Sequence, residues 1–161
     1  MHRDAALDGD EREAVEAVLA ASRVLVAVAA RSLAAVDEEV TLPQYRTLVV
    51  LTSRGPQRLN TLAEALSVSP STATRMCDRL VRKRLLTRRV DPGDRRLVRL
   101  AVSAAGRRLV EQVTEGRRVE VARILEALSP DEQRSVTMAL HRLATAAGEL
   151  PERDWTVGWD L

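Results

Sequence analysis

Phenylalanine is absent from this 161-residue chain, and aromatic residues amount to 2%: Tyr45, Trp155 and Trp159. Strands draw on β-branched and aromatic side chains, whereas Ala and Leu favour helices. The apolar content here is mostly Ala, Val and Leu, so the composition points to a mainly α fold. A lone cysteine, Cys77, excludes an internal disulfide and fits a reducing compartment. The two histidines, His2 and His141, have no Cys or His at metal-ligand spacing, so no metal site is expected. No unbroken run of about 18 apolar residues marks a membrane span. The opening Met1-His2-Arg3-Asp4 lacks the basic-then-apolar layout of a secretory signal. A cytoplasmic protein without membrane attachment is expected. Gly-rich phosphate loops, serine elbows and zinc signatures are also missing. The carboxylate pairs Glu38-Glu39 and Asp131-Glu132 fall at helix ends, where the helix dipole accounts for them. With no convergent nucleophile, base or metal set, the chain is expected to be a binding protein, not an enzyme, and to need no cofactor.

What is present is a folded composition, 45% hydrophobic and 30% charged. Its formal net charge of +2 conceals a strong asymmetry. Residues 58–99 hold 11 basic and four acidic side chains, a local charge of +7, leaving −5 for the rest. A basic middle between acidic ends suggests a polyanion-binding module within a neutral or acidic frame. A solvated surface is the plainer alternative.

The helical signals come in order. Asp10-x-x-Glu13 has the form of a capping box, and apolar residues then recur at helical spacing over about 11–37. Thr41-Leu42-Pro43 starts a second helix, Gln44–Thr52, which stops at Gly55-Pro56. Asn60 caps a short helix through Leu66, and Ser67-Val68-Ser69 turns the chain. Ser69 followed by Pro70 starts the next helix, about Pro70–Lys83. Ala73, Met76, Cys77, Leu80 and Val81 form its apolar stripe. Leu85–Val90 and Leu97–Val102 then flank Asp91-Pro92-Gly93-Asp94, a turn signature that predicts a β-hairpin. Ser103 caps a long helix over about 104–127, and Ser129-Pro130-Asp131-Glu132 caps a last one reaching about Ala147, with Gly148 as its stop.

Two helices joined by a tight turn and followed by a basic hairpin make a winged helix-turn-helix. Such a module lays its second helix in a major groove about 12 Å wide. The approaching face needs short polar residues near the helix start and arginine for base edges or phosphates. Ser69, Ser71, Thr72 and Thr74, followed by Arg75, Arg79 and Arg82, meet both demands. Arg95 and Arg96 at the hairpin tip would enter the adjacent minor groove or grip phosphate, and Arg88, Arg89 and Arg99 would add backbone attraction. Double-stranded DNA is therefore the expected partner.

Leu59-Asn60-Thr61-Leu62-Ala63-Glu64-Ala65-Leu66, Ser69-Pro70-Ser71-Thr72-Ala73-Thr74-Arg75, Asp78-Arg79-Leu80 and Asp91-Pro92-Gly93-Asp94-Arg95-Arg96 resemble the multiple-antibiotic-resistance regulator (MarR) family. Leu42-Pro43-Gln44-Tyr45 and Ser103-Ala104-Ala105-Gly106 are similar to its second-helix start and its post-wing segment. The resemblance covers residues 11–148. It implies a homodimer that straddles a pseudo-palindromic operator, with 11–40 and 104–148 as the helical dimerisation region. It also implies 41–103 as the DNA-binding domain and 149–161 as a tail. It implies that Asp94 and Arg96 pair to stabilise the wing, and that a small aromatic or phenolic effector releases a repressor from its operator. Tyr45 lies near the crevice where the family binds such ligands and would either hydrogen-bond an effector or simply pack. Arg84 stands where the family commonly has Gly after the recognition helix, so either its backbone takes an unfavourable conformation or the helix runs on. Cys77, on the apolar stripe, is expected in the core and not as a redox sensor. Trp155 and Trp159 are expected to pin the tail to the body. A constitutive DNA binder without effector and a winged-helix protein-interaction module are the competing readings.

Overall fold

The computed structural model describes residues 8–90, 93–94, 97–149 and 155. Helix α1 (Gly9–Ala34) begins at Asp8, whose carboxylate accepts the Glu11 N–H at 2.8 Å. The expected cap Asp10 lies instead in the first turn, where its charge still favours the helix start. Helix α2 (Leu42–Arg54) opens on a Thr41/Gln44 capping box and ends at Gly55, φ 75°. Helix α3 (Leu59–Ala65) starts from Arg58, so Asn60 falls inside its first turn and is not the cap. Helix α4 (Pro70–Arg82) is capped by Ser69, as expected. Strands β1 (Leu86–Val90) and β2 (Val98–Val102) form an antiparallel hairpin. Ser103 caps α5 (Ala104–Leu125), and a Ser129/Glu132 box opens α6 (Pro130–Ala146).

Among the described residues, two that are not glycine take the left-handed conformation, and both close a helix. Ser67 (φ 54°) ends α3, with Val68 N–H donating to Ala63 O at 3.0 Å. Arg84 (φ 59°) ends α4, with Leu85 N–H donating to Leu80 O at 2.9 Å. These are the 6→1 bonds of a Schellman stop. The helix does not run on past Arg84: the residue accepts the strained conformation that Gly would take freely.

The core lies where α2, α3, α4, the base of the hairpin and the first half of α5 meet. Leu48, Leu62, Cys77, Leu80 and Val113 are fully buried there. Burial of a leucine of this kind stabilises by about 1.5–3 kcal/mol. Gln57 joins the hairpin as a short third edge, exchanging both backbone hydrogen bonds with Leu100 at 2.8 and 3.0 Å. Gly106 lets α5 lie directly on the hairpin base, since a Cβ there would stand 2.3 Å from Leu85 O.

The two end helices behave differently. Among the 26 residues of α1 only Val28, Ser32 and Leu33 are buried, and α6 has no buried residue. Of the apolar series along α1, Val15, Val18, Leu19, Leu25 and Val26 are exposed in the single chain, Ala29 is half-buried and Leu33 is buried. By length and composition alone α1 would cross a bilayer, with a mean hydropathy of 1.7 over its most apolar stretch. Arg23 and Arg31 break that stretch, and Arg31 is tied to α5 by an ion pair with Glu120 at 2.6 Å.

Candidate nucleic-acid interface

The outward face of α4 is built by its own cap. Ser69 Oγ accepts the Thr72 N–H at 3.2 Å and lies 3.0 Å from both Ser71 Oγ and Thr72 Oγ1. Thr72 Oγ1 in turn accepts from Arg75 at 3.4 Å. The hydroxyls thus form one connected network at the helix start, with a guanidinium held over it. Thr74 differs: its hydroxyl donates back to Pro70 O at 2.8 Å and is occupied within its own helix. Ser69, Ser71, Arg75, Arg79 and Arg82 are exposed, while Thr72 and Thr74 are half-buried. Ala73, Cys77 and Leu80 point the other way, into the core. The sequence-predicted polar face is therefore a single surface on one helix.

The hairpin extends that surface. Arg88 on β1 reaches Asp78 on α4 at 2.5 Å, both about half exposed. This pair joins α4 to the wing and was not legible from either segment alone, although Asp78 stood on the polar face. Arg89, exposed, lies directly opposite Arg99 in the hairpin register. Val90 and Val98, opposite one another at the outer end of the strands, are both exposed. Asp94 is half-buried, and its carbonyl accepts from Leu97 N–H at 2.9 Å. Arg95 and Arg96, expected at the tip, lie outside the described residues.

The far end of α4 is braced from the α1–α2 connection. Lys83, the only lysine, reaches Glu39 at 2.7 Å and Asp37 at 3.7 Å in the α1–α2 connection. Asp37 orders that connection by accepting from the N–H groups of Glu39 and Val40 at 2.8 and 3.1 Å. Sequence reading placed Glu39 at a helix end and missed this partner, because a pair 44 residues apart leaves no mark on local patterning.

Two other singled-out residues are internal. Burial pushes the Cys77 thiol up to about 11, only partly countered by Arg88, so its reactive thiolate is suppressed. Tyr45 is buried in the core cluster, its hydroxyl 3.4 Å from Thr114 Oγ1 on α5. Among the described residues no group of three or more His, Cys, Asp or Glu has the arrangement of a metal site.

A family model described as "MarR family" matches residues 40–98, which span α2 to the start of β2. The repressor MdtR of Bacillus subtilis is 34% identical over 67% of this chain and 70% of its own length. The crystal structure of RV1404 from Mycobacterium tuberculosis is 45% identical and covers 91% of this chain and 99% of its own, with a TM-score of 0.84. A MarR family protein from Bacillus stearothermophilus, 24% identical, covers 89% of this chain and all of its own, and shares the fold with a TM-score of 0.74. A helix-turn-helix with an exposed hydroxyl-arginine face, a basic hairpin and these relatives lead to one assignment: the chain belongs to the MarR family of winged-helix transcriptional regulators.

Proposed function

We propose that the protein is a homodimeric repressor that binds a pseudo-palindromic operator. The observation that carries this reading is the exposed hydroxyl and arginine face of α4 and its cap, Ser69, Ser71, Arg75, Arg79 and Arg82, tied to a basic hairpin through Arg88 and Asp78, inside a segment of charge +7. In this reading α4 enters the major groove, Ser69, Ser71, Thr72 and Thr74 allow close approach, and Arg75 and Arg79 reach base edges or phosphate. Arg82 and Arg89 bind backbone. Asp94 pairs with Arg96 while Arg95 or Arg96 enters the minor groove. Residues 41–103 form the DNA-binding domain. Residues 11–40 and 104–148 form the seam with a second copy, which covers the exposed apolar side chains of α1 and α6 in place of lipid. The repressor role is supported by the likeness to the repressor MdtR. The protein works in the cytoplasm, and its effector is a small aromatic or phenolic compound acting near the Tyr45–Thr114 contact between α2 and α5.

Selection of bound DNA from a random pool tests the reading directly, because a two-fold consensus reports both DNA binding and dimer geometry. On the selected site, Arg75→Ala and Arg96→Ala should each weaken binding by about 1–3 kcal/mol where the arginine reads a base. Recovery of no consensus, or wild-type binding by both variants across salt concentrations, would refute the proposal. Thermal shift against a panel of phenolic compounds tests the effector, since a ligand of the folded state raises stability by mass action.

A further inference from the structure

Helix α6 presents a mechanical problem within its own chain. None of its residues is buried, and Met138, Leu140 and Leu143 are exposed. Packing on this chain therefore does not fix its direction. Its ends are fixed instead. At the start, the Gln133 side-chain amide donates to Leu125 O at 2.9 Å and Leu128 O at 3.1 Å, binding α6 to the end of α5. At the finish, Gly148 (φ 69°) closes the helix, with Glu149 N–H donating to Ala144 O at 3.0 Å. The turn carries Glu149 back to α2. There the two terminal nitrogens of Arg46 donate to the two carboxylate oxygens at 3.1 and 2.7 Å. This fork-on-fork geometry is the most directional ion pair available to side chains. It holds Glu149 below the usual carboxylate range and Arg46 above its own. Six residues further on, Trp155 is half-buried against the core cluster that includes α2.

We infer that two contacts form an intrachain strap: Glu149 on Arg46 and Trp155 on the core tie the far end of α6 to α2. The last helix and the winged-helix module then move as one body. The strap lies outside the surface assigned to DNA and joins residues 103 positions apart, so it is a coupling element and not part of the reading face. Without it, the attachment of α6 to its own chain would rest on Gln133.

The chain supplies its own reporter, since Trp155 and Trp159 are its only tryptophans and both lie in the tail. In full-length Trp159→Phe protein, Trp155 is the sole tryptophan. Its emission should lie at short wavelength and resist quenching by acrylamide. Glu149→Gln, or Arg46→Ala, should move the emission to longer wavelength and open it to the quencher. Arg46→Glu combined with Glu149→Arg should restore the parent spectrum. On DNA obtained by selection, Glu149→Gln should weaken binding by about fivefold, the ceiling for a well-aligned exposed pair. A water-exposed Trp155 in the parent, or a Trp155 indifferent to Glu149→Gln, overturns the strap itself. A responsive Trp155 with unchanged DNA affinity overturns the coupling. The fluorescence arm needs neither DNA nor a second copy, so its failure is distinct from failure of the repressor reading.

Discussion

Replacing Gly106 by alanine sets two expectations of opposite sign against each other. Gly106 is the third residue of α5, inside a regular helix, where alanine is normally better by about 1 kcal/mol. Here, however, the new methyl would stand 2.3 Å from Leu85 O and 2.7 Å from Val102 Cγ1. The carbonyl of Leu85 cannot step aside cheaply, because it accepts the Ser103 N–H at 3.0 Å while Ser103 Oγ holds Arg84 O at 2.7 Å. Relief requires the start of α5 to lift off the hairpin base. Overpacking of this kind costs about 1–3 kcal/mol, occasionally more, and a clash with anchored backbone belongs at the upper end. After the propensity gain, the net loss is about 1–2 kcal/mol, or a fall in Tm of roughly 2–8 °C for a chain of this size. Gly116→Ala on the same helix is the control: its Cβ would meet Ser32 Cβ at 3.5 Å, an ordinary contact. It should be neutral or stabilising by up to about 1 kcal/mol. Thermal and urea unfolding by circular dichroism, at one fixed protein concentration, reads both. A Gly106→Ala protein as stable as the parent would refute the claim that the hairpin base and α5 are locked by this approach.

Asp78→Ala should change stability by less than about 1 kcal/mol, because both members of the Arg88 pair are about half exposed. It should also tighten non-specific DNA binding and steepen the salt dependence by about one unit of log–log slope, since Arg88 becomes available to phosphate; titration by fluorescence anisotropy at several salt concentrations checks this. The Cys77 thiol, pushed up to about 11, should react with a thiol reagent at pH 8 only as fast as the protein opens, and at once in denaturant. Glu149, held low by hydrogen bonds from Arg46 with Arg54 nearby, contributes stability present at neutral pH and lost as pH falls through its lowered value. The emission of Trp155 in Trp159→Phe protein should therefore shift below the ordinary glutamate range, and the Glu149→Gln variant should lack that transition.

Local chemistry made most of the element order legible. Ser69, Ser103 and Ser129 are side-chain caps whose partners lie three residues ahead, a distance that sequence displays directly. The same logic missed where two candidates compete. Asp8 outranks Asp10 as the first cap, and Arg58 precedes Asn60 at α3 through backbone geometry with no side-chain cap bond at all. The Arg84 stop was open between two outcomes because only the tertiary seat of Leu85 in the core decides it. The links Arg31–Glu120, Lys83–Glu39 and Arg46–Glu149 were not legible, since periodicity reports which face of a helix is apolar and nothing about which distant charge it meets. The polar face of α4 was visible from spacing alone, whereas its brace to the wing through Asp78 needed coordinates.

In the proposed homodimer, the uncovered flanks of α1 and α6 turn abundance into a signal. With a twin chain as their sheath, below the pairing constant the amount of competent regulator grows as the square of what the cell makes. Halving synthesis then lowers the dimer about fourfold, and on a sparsely occupied operator the bound fraction falls by the same factor.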